Sequence, residues 1–428
     1  MTQLQSAVAG AITPAMRQVA EAERVAAEAV RDAVARGHAV IPLNPAHGNA
    51  RPVGVGRLFR TKVNANIGRS TERSEAGGER RKLAVSLAAG ADFVMDLSVG
   101  PDLHAIRQAL LDASPAPLGT VPVYETVSRL AGDVPSLEPG LLLSVIEEQA
   151  RQGVDFMTLH AGLLRAHVSL AMRRVMGIVS RGGAILAEWM QTHGRENPLY
   201  ERWDDVLAIM ARHDVTVSLG DGLRQGCLAD ASDAAQFAEL DVLGALVRRC
   251  RQAGVQVMVE GPGHVPFDQI AMNMQREQET CDGAPFYVLG PVVTDIAPGY
   301  DHITSCIGAT AAAFHGASLL CYVTPAEHLG LPDEREVHEG VIAYRIAAHA
   351  ADLARGLPGA RDRDDAMARA RVAFDWKRQF DLALDGTYAR GRWERTRACP
   401  DGAADDHCSM CGREFCALRT TRRIRGDA

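Results

Sequence analysis

The sequence predicts an α/β protein whose main domain is a (β/α)8 barrel of the TIM type, followed by a helical extension and a cysteine-containing tail. Two observations support the barrel. Short apolar runs, rich in β-branched residues and without period-two alternation, alternate with helical segments at intervals of about 25–40 residues. Polar residues follow nearly every run, as they do where the loops of such a barrel form an active face. With 428 residues, the chain is long enough for a barrel and an accessory segment.

The barrel is predicted to span residues 59–330. A short N-terminal segment, residues 1–58, precedes it and contains helical spacing of valine and alanine over residues 14–36. Nine apolar runs qualify as barrel strands, and they cover residues 62–67, 92–97, 118–123, 154–160, 176–180, 215–219, 255–260, 285–289 and 318–323. Because a (β/α)8 barrel uses eight strands, we expect one run to be an additional strand or no strand at all.

After the barrel, the pattern becomes entirely helical. A helical extension is predicted over residues 331–395, with helices at 334–355 and 362–384. The remaining residues, 396–428, form a short charged tail without a hydrophobic run of its own. These helices would therefore carry the tail away from the barrel.

The tail contains Cys408, Cys411 and Cys416 at the spacing C-x2-C-x4-C. Thiols this close together, in a segment that cannot bury them, are most simply held by iron or zinc. A structural zinc site would need a fourth ligand, for which His407 or Cys399 is available. An iron–sulfur cube with three protein ligands would instead leave one iron open to a substrate or cofactor. The spacing alone leaves both alternatives open.

Polar or ligand-binding residues stand at the carboxyl ends of the predicted strands. They are Asn64, Asn66, Met95 with Asp96, Tyr124, His160, Ser180, Arg181, Gly182, Asp221, Gly222, Leu223, Arg224, Glu260, His264, Tyr287 and His328. One such residue is usually a helix cap or a loop hydrogen bond. A full rim of them is hard to explain by capping and indicates an enzyme.

Chemistry suggests roles for some of these residues, each with a structural alternative. Ser180, Arg181 and Gly182 offer a hydroxyl, a guanidinium and an accessible amide, which suit a phosphate, although Ser180 could equally cap a helix. Asp221 and Arg224 could bind ribose hydroxyls or an anion, or form a structural ion pair.

Glu260 and His264 are connected by Gly-Pro-Gly, so a tight turn places their side chains. His264 and His328 follow different strands and could meet over the barrel mouth as zinc or iron ligands. Either histidine alone would more often be a hydrogen-bonded loop residue.

Composition and charge exclude some classes of binding partner. The net charge of −7 and the pI near 6.1 predict no basic field that would attract nucleic acid. No apolar stretch approaches the ~20 residues that span a bilayer, so no membrane association is expected. Nine cysteines without paired spacing, and no secretory signal at the N-terminus, favour a reducing cytoplasm.

Taken together, the sequence resembles the thiamine pyrimidine synthase family, also called phosphomethylpyrimidine synthase. The resembling segments, in order, are Val63-Asn-Ala-Asn-Ile-Gly68, Val94-Met-Asp-Leu-Ser98, Gly119-Thr-Val-Pro122, Gly177-Ile-Val-Ser-Arg-Gly-Gly183, Ser218-Leu-Gly-Asp-Gly-Leu-Arg224, Glu260-Gly-Pro-Gly-His-Val-Pro266, Thr294-Asp-Ile-Ala-Pro-Gly-Tyr-Asp-His302, Cys321-Tyr-Val-Thr-Pro325 and Cys408-Ser-Met-Cys411. They extend over most of the chain.

This resemblance implies a radical S-adenosylmethionine enzyme, a carbon–carbon lyase acting on 5-aminoimidazole ribotide. The implied product is 4-amino-5-hydroxymethyl-2-methylpyrimidine phosphate, with formate, carbon monoxide, 5′-deoxyadenosine and methionine. The implied partners are an electron donor such as flavodoxin or ferredoxin and a second copy of the chain in a homodimer, with one subunit's tail over the other's barrel.

The resemblance also implies roles for residues. A [4Fe-4S] cluster would be held by Cys408, Cys411 and Cys416, which also count as catalytic, and zinc or iron by His264 and His328. Glu260 is implied as both catalytic and substrate-binding. The other substrate contacts would be Asn66, Met95, Tyr124, His160, Ser180, Arg181, Gly182, Asp221, Gly222, Leu223, Arg224 and Tyr287.

Two alternatives accompany this hypothesis. Short family members include 5-hydroxybenzimidazole synthases, which use the same ribotide to make a precursor of the lower ligand of cobamides. Gln225 and Val99 stand where the family usually has proline and threonine, and both adjoin substrate positions. The second alternative is a barrel that binds a phosphorylated ligand without turning it over and whose tail holds a structural zinc.

Overall fold

The computed structural model describes residues 1–72, 77–396 and 407–426. The chain forms two compact units, Met1–Arg355 and Gly356–Ala428, and the barrel lies within the first. The predicted segment boundaries after residues 58, 330 and 395 stay predictions.

Eight parallel strands of the first unit close into a barrel. A separate antiparallel ribbon pairs β1 (Ala39–Val40) with β2 (Val55–Gly56). The barrel strands are β3 (Lys62–Ile67), β4 (Phe93–Asp96), β5 (Leu118–Thr120), β6 (Phe156–Leu159), β7 (Thr216–Leu219), β8 (Val257–Gly261), β9 (Phe286–Leu289) and β10 (Leu319–Cys321). Each pairs with its neighbours in sequence, and β10 closes the ring against β3. The predicted (β/α)8 barrel is confirmed.

One predicted strand, residues 176–180, is wrong. This segment is a loop that leads into a helix, and Met176 is half exposed to solvent. The backbone N–H groups of Val175 and Met176 donate to the two carboxylate oxygens of Asp230, at 2.8 and 3.0 Å. The carboxylate of Asp230 thus accepts from backbone N–H groups that a strand would pair with a neighbouring strand. The apolar residues Met176 and Val179 of this run line a cavity at the barrel mouth.

Helices surround the barrel and continue into the second unit. The α-helices of the first unit are α1 (Gln3–Val8), α2 (Pro14–Glu23), α3 (Ala27–Ala35), α4 (Gly78–Ala89), α5 (Leu103–Ala113), α6 (Pro122–Arg129), α7 (Pro139–Gln152), α8 (Arg165–Ala171), α9 (Arg181–His193), α10 (Pro198–Glu201), α11 (Trp203–His213), α12 (Ala234–Gln252), α13 (Ile270–Thr280), α14 (Asp301–His315) and α15 (Glu334–Ala354). Short 3-10 helices cover Val134–Ser136, Leu228–Asp230 and Phe267–Gln269. The α-helices of the second unit are α16 (Asp362–Val372), α17 (Trp376–Leu382), α18 (Gly386–Thr396), α19 (Gly412–Phe415) and α20 (Ala417–Arg425). Within the described ranges, no helix has the length and apolar character needed to cross a membrane.

Two predicted helices are each divided by a residue in the left-handed conformation. The helix predicted over 14–36 breaks at Arg24, whose φ is 56°. The helix predicted over 362–384 breaks at Phe374, whose φ is 55°. A left-handed turn costs a non-glycine residue about 1–2 kcal/mol. Because the helical spacing of apolar residues resumes after the turn, such a break cannot be recognised from the sequence.

The N-terminal segment contacts residues that precede the strands. The N–H of Ile41 donates to Gln256, just before β8, and the N–H of Asn44 donates to Asp155, just before β6, both at 2.8 Å. Asp155 also pairs with the buried His47 at 2.6 Å. The N-terminal segment therefore covers the amino ends of these strands, and the carboxyl ends remain available for a site.

Candidate active site

The carboxyl ends of the barrel strands bring the predicted substrate positions to one rim. The structure places Asn66 on β3, Met95 on β4, Tyr124 in α6 directly after β5, His160 directly after β6, Asp221, Gly222, Leu223 and Arg224 after β7, Glu260 on β8 and Tyr287 on β9, while Ser180, Arg181 and Gly182 lie where α9 begins. Because parallel strands share one carboxyl edge, residues far apart in sequence meet here.

Two polar networks occupy the barrel interior below this rim. On one side, the Nδ2 of Asn64 donates to the Oδ1 of Asn66 at 2.8 Å and lies 3.0 Å from the sulfur of Cys321. On the other, the hydroxyl of Tyr287 lies 2.6 Å from that of Ser218. Burial raises the pKa of Tyr287 well above its usual range, so the phenol is a neutral hydrogen-bonding group.

A buried cluster of charge follows β7. The guanidinium of Arg224 donates to the Oδ1 of Asp221 at 2.9 Å and lies 3.5 Å from an oxygen of Glu260. Burial, and then the charge of Glu260, raises the pKa of Asp221 well above its usual range. The Oδ2 of Asp221 has no hydrogen-bond partner among the described residues. The cluster can thus offer an acceptor or a proton to a bound hydroxyl.

The start of α9 is packed tightly against the rim. Ser180 caps this helix, and its hydroxyl accepts the N–H of Gly183 at 3.2 Å. The guanidinium of Arg181 stacks over the ring of Tyr124 at 4.9 Å from its centroid. A Cβ on Gly182 would come within 2.3 Å of the ring of His160, so only glycine fits at this position. The capping interpretation of Ser180 is therefore correct, and the positive end of the α9 dipole lies at the rim, where it favours an anion.

His160 is almost completely buried behind Gly182. Burial, with a smaller contribution from Arg224, lowers the pKa of His160 to about 3. Its Nδ1 has no hydrogen-bond partner among the described residues. The ring is therefore neutral at physiological pH and offers a hydrogen bond without a charge.

This burial predicts a pH effect on stability. Because the pKa of His160 is about 3 in the folded state and near 6.5 when unfolded, the unfolded state binds more protons below pH 6.5. Stability should therefore fall as the pH drops, by about 2 kcal/mol between pH 6.5 and 4.5 from this residue. Urea unfolding of His160→Gln should show a correspondingly flatter profile. The exposed His104→Gln serves as control, and an unchanged slope in His160→Gln would contradict the assignment.

A histidine pair lies beside the charge cluster. The ring centroids of His264 and His328 are 5.3 Å apart. The Nδ1 of His264 pairs with Asp295, and that of His328 pairs with Asp301, each at 2.8 Å. Such carboxylates orient histidines that bind metal through Nε2. Both rings and Arg224 line a cavity of about 190 Å³, so the pair could share an ion with a bound ligand.

The two aspartates were not predicted from the sequence as site residues. Asp295 and Asp301 both occur in the segment that begins at Thr294, which was noted only as part of the family resemblance. Two aspartates in a turn rich in proline and glycine, after a strand of a barrel, were the available signal. Their partners could not be found from sequence, because the two histidines lie 31 and 27 residues away.

The cysteine tail belongs to the second unit. Cys411 and Cys416 precede the short helices α19 and α20, and Cys408 is partly exposed. The backbone N–H of Cys411 lowers the pKa of the Cys408 thiol, which favours a thiolate. Within residues 1–72, 77–396 and 407–426, no three His, Cys, Asp or Glu side chains are arranged to hold a metal. Cys399 lies outside the described residues.

Comparison with known proteins now assigns the family. The model of the radical SAM ThiC family matches residues 2–423. The chain belongs to this family. A phosphomethylpyrimidine synthase of Natronomonas pharaonis is 60% identical over 424 residues, covering 99% of this chain and 89% of the relative. Relatives of the same name are 58% identical in Halobacterium salinarum and 57% in Haloarcula marismortui, with the same 89% of each relative covered.

Membership of a radical SAM family implies a [4Fe-4S] cluster and S-adenosylmethionine. The donor set of the tail fits the cluster, because Cys408, Cys411 and Cys416 offer three thiols at close spacing and the Cys408 thiol is already biased towards thiolate. The relatives' names do not favour 5-hydroxybenzimidazole synthesis or a barrel without catalytic activity.

Proposed function

We propose that this protein is a phosphomethylpyrimidine synthase of thiamine biosynthesis, converting 5-aminoimidazole ribotide to 4-amino-5-hydroxymethyl-2-methylpyrimidine phosphate. The observation that carries the proposal is 60% identity to a protein of that name over 99% of this chain. The polar rim supports it, since each element of the ribotide has a chemically suitable partner at the barrel mouth.

The phosphate of the ribotide is assigned to the start of α9. The first turn of α9 lies at the positive end of the helix dipole, which favours an anion. Arg181 adds a positive charge, and its stacking on Tyr124 restricts where that charge can lie. The phosphate would thus bind a preformed turn with little reorganisation.

The ribose and imidazole parts are assigned to the opposite side of the mouth. Asp221 has one buried carboxylate oxygen without a partner, which suits a ribose hydroxyl. Arg224 holds both Asp221 and Glu260 in position. Neutral His160 and Asn66 supply further hydrogen bonds, and the buried Met95 supplies apolar contact.

Cys408, Cys411 and Cys416 are proposed to hold the [4Fe-4S] cluster, with S-adenosylmethionine as its co-substrate. When bound, the cluster supplies the one-electron chemistry that makes S-adenosylmethionine a source of radicals. The protein's own contribution is to orient the ribotide and to keep water from the barrel mouth.

His264 and His328 are proposed to hold zinc or iron. Support comes from the paired rings and from the aspartate on each Nδ1, which leaves both Nε2 atoms free to coordinate. His328→Ala should therefore lose most of the metal that is not in the cluster, measured by elemental analysis of the purified protein. His315→Ala, an exposed histidine of α14, should keep it, and full metal content in His328→Ala would remove that residue from the site.

A second copy of the chain is proposed as a partner, together with an electron donor such as flavodoxin or ferredoxin. Ile303 and Ile307 are about half exposed, at 49% and 48%, on one face of α14, as an interface between subunits would require. Sedimentation should give a dimer, and a monomer at micromolar concentration would contradict this.

The catalytic proposal is tested by radical formation. Protein reconstituted with iron and sulfide without oxygen should turn brown, and dithionite with S-adenosylmethionine and the ribotide should give 5′-deoxyadenosine. A fully loaded cluster that gives none would overturn the proposed function.

A further inference from the structure

A buried glutamate outside the predicted site contacts the loop after β7. Glu239 lies in the second turn of α12 and is only 2% exposed. Its Oε2 accepts the backbone N–H of Leu223 at 2.7 Å. Leu223 stands between Asp221 and Arg224, the two residues proposed to contact the ribotide, so Glu239 reaches the back of the substrate loop.

The same loop is confined on two sides, by Glu239 and by the start of α9. A Cβ on Gly222 would lie 3.0 Å from the Oε1 of Glu239, and a Cβ on Gly183 would lie 2.1 Å from the carbonyl oxygen of Gly222. The loop is therefore pressed between the start of α9 and the side of α12. A larger residue at Gly183, or a different side chain at Glu239, would therefore move the loop backbone.

A second carboxylate holds the loop from the front. The N–H of Asp221 donates to the Oε2 of Glu260 at 3.2 Å, inside the barrel mouth. Two consecutive stretches of the loop backbone thus each donate to a buried carboxylate, one facing the substrate and one behind it. Only Glu260 can touch the ligand.

The stability of helix α12 does not explain why a glutamate occupies position 239. Among the described residues it forms no ion pair, and the nearby Arg174 is bound by Asp233 through two hydrogen bonds of 2.7 Å. A buried carboxyl without a cation is costly, and burial raises the pKa of Glu239 to about 8. An apolar residue would pack at this position more favourably, so the hydrogen bond to the loop accounts for the glutamate.

We infer that Glu239 is a positioning residue for the ribotide: by accepting the Leu223 N–H it fixes the loop that presents Asp221 and Arg224. This inference rests on the proposed function, because it takes those two residues as ligand contacts. Glu239 itself reaches no ligand. Its removal should weaken ribotide binding without affecting S-adenosylmethionine.

The test compares Glu239→Leu and Glu239→Gln in the full-length protein. The dissociation constant of 5-aminoimidazole ribotide is measured by calorimetry, and the KM of each substrate in the reconstituted enzyme. Loss of the acceptor in Glu239→Leu should weaken ribotide binding about 10- to 100-fold. Glu239→Gln keeps an acceptor oxygen and should recover most of this loss, and the KM for S-adenosylmethionine should stay constant in both.

Glu277→Leu is the matched control. Glu277 is equally buried on the neighbouring helix α13, and no hydrogen bond joins it to the substrate loop in the described residues. Its replacement should leave ribotide binding within about twofold.

Three results would overturn the inference. They are unchanged binding in Glu239→Leu, equal losses in Glu239→Leu and Glu277→Leu, and equal losses in the glutamine and leucine variants. If Glu239→Leu does not fold, Glu239→Ala replaces it: its Leu223 amide should exchange hydrogen faster than that of Glu239→Gln, which keeps the acceptor, and equal exchange in the two variants contradicts the role. A wild-type protein that does not bind the ribotide overturns the proposed function itself.

Discussion

Cys411→Ala is expected to abolish the cleavage of S-adenosylmethionine while the barrel stays folded. Cys411 lies in the second unit of the chain and is exposed, so its loss removes a proposed cluster ligand without opening a core. Removing a direct ligand should cost more than the roughly 10- to 100-fold that loss of an outer-shell partner costs a metal site. The measurements are 5′-deoxyadenosine by chromatography, iron content and circular dichroism.

Met410→Ala is the matched control, because Met410 is the neighbouring residue and is 92% exposed. This variant should keep iron, colour and 5′-deoxyadenosine formation. Cleavage at the wild-type rate in Cys411→Ala would show that this thiol is not a ligand. Loss of the barrel's secondary structure would show that the tail is required for the fold.

Arg224→Met should both destabilise the barrel and remove ribotide binding. Arg224 is the cation between Asp221 and Glu260, at 2.9 and 3.5 Å. Without it, two buried carboxylates face each other, which typically costs 3–5 kcal/mol, about the effect of breaking a buried ion pair. Chemical denaturation measures the stability, and calorimetry with the ribotide measures the binding.

Two further variants make this prediction specific. Arg249→Met breaks an exposed pair with Asp204 of 2.7 Å and should cost less than about 1 kcal/mol. Adding Asp221→Asn to Arg224→Met removes one of the opposed charges and should restore part of the stability. Equal costs for Arg224→Met and Arg249→Met would mean that the buried cluster is not under electrostatic strain.

Much of the fold could be predicted from sequence because parallel strands leave a strong signal. Runs such as Leu319–Cys321 are apolar throughout, since both faces of a barrel strand are buried. The false strand at 176–180 has the same composition for a different reason. Its apolar residues lie at the barrel mouth, where Met176 and Val179 line the cavity beside the histidine pair. Composition does not distinguish a buried strand from an apolar loop at a ligand site.

The location of the candidate site could be predicted where its residues follow strands. His160 and Glu260 stand at strand ends, so the barrel topology alone brings them to one rim. Glu239 could not be found in this way, because it lies within a helix and acts through the backbone of a distant loop. The assembly of the cysteine tail also remains a prediction, since the ligand set depends on an inorganic group that the sequence does not encode.

The product assay tests the central claim most directly. Reconstituted protein is given dithionite, S-adenosylmethionine and 5-aminoimidazole ribotide without oxygen, and the products are identified by mass spectrometry. We expect 4-amino-5-hydroxymethyl-2-methylpyrimidine phosphate, formed with 5′-deoxyadenosine and methionine. If 5-hydroxybenzimidazole forms instead, or no pyrimidine forms although the cluster is fully loaded, the assignment to thiamine biosynthesis is contradicted.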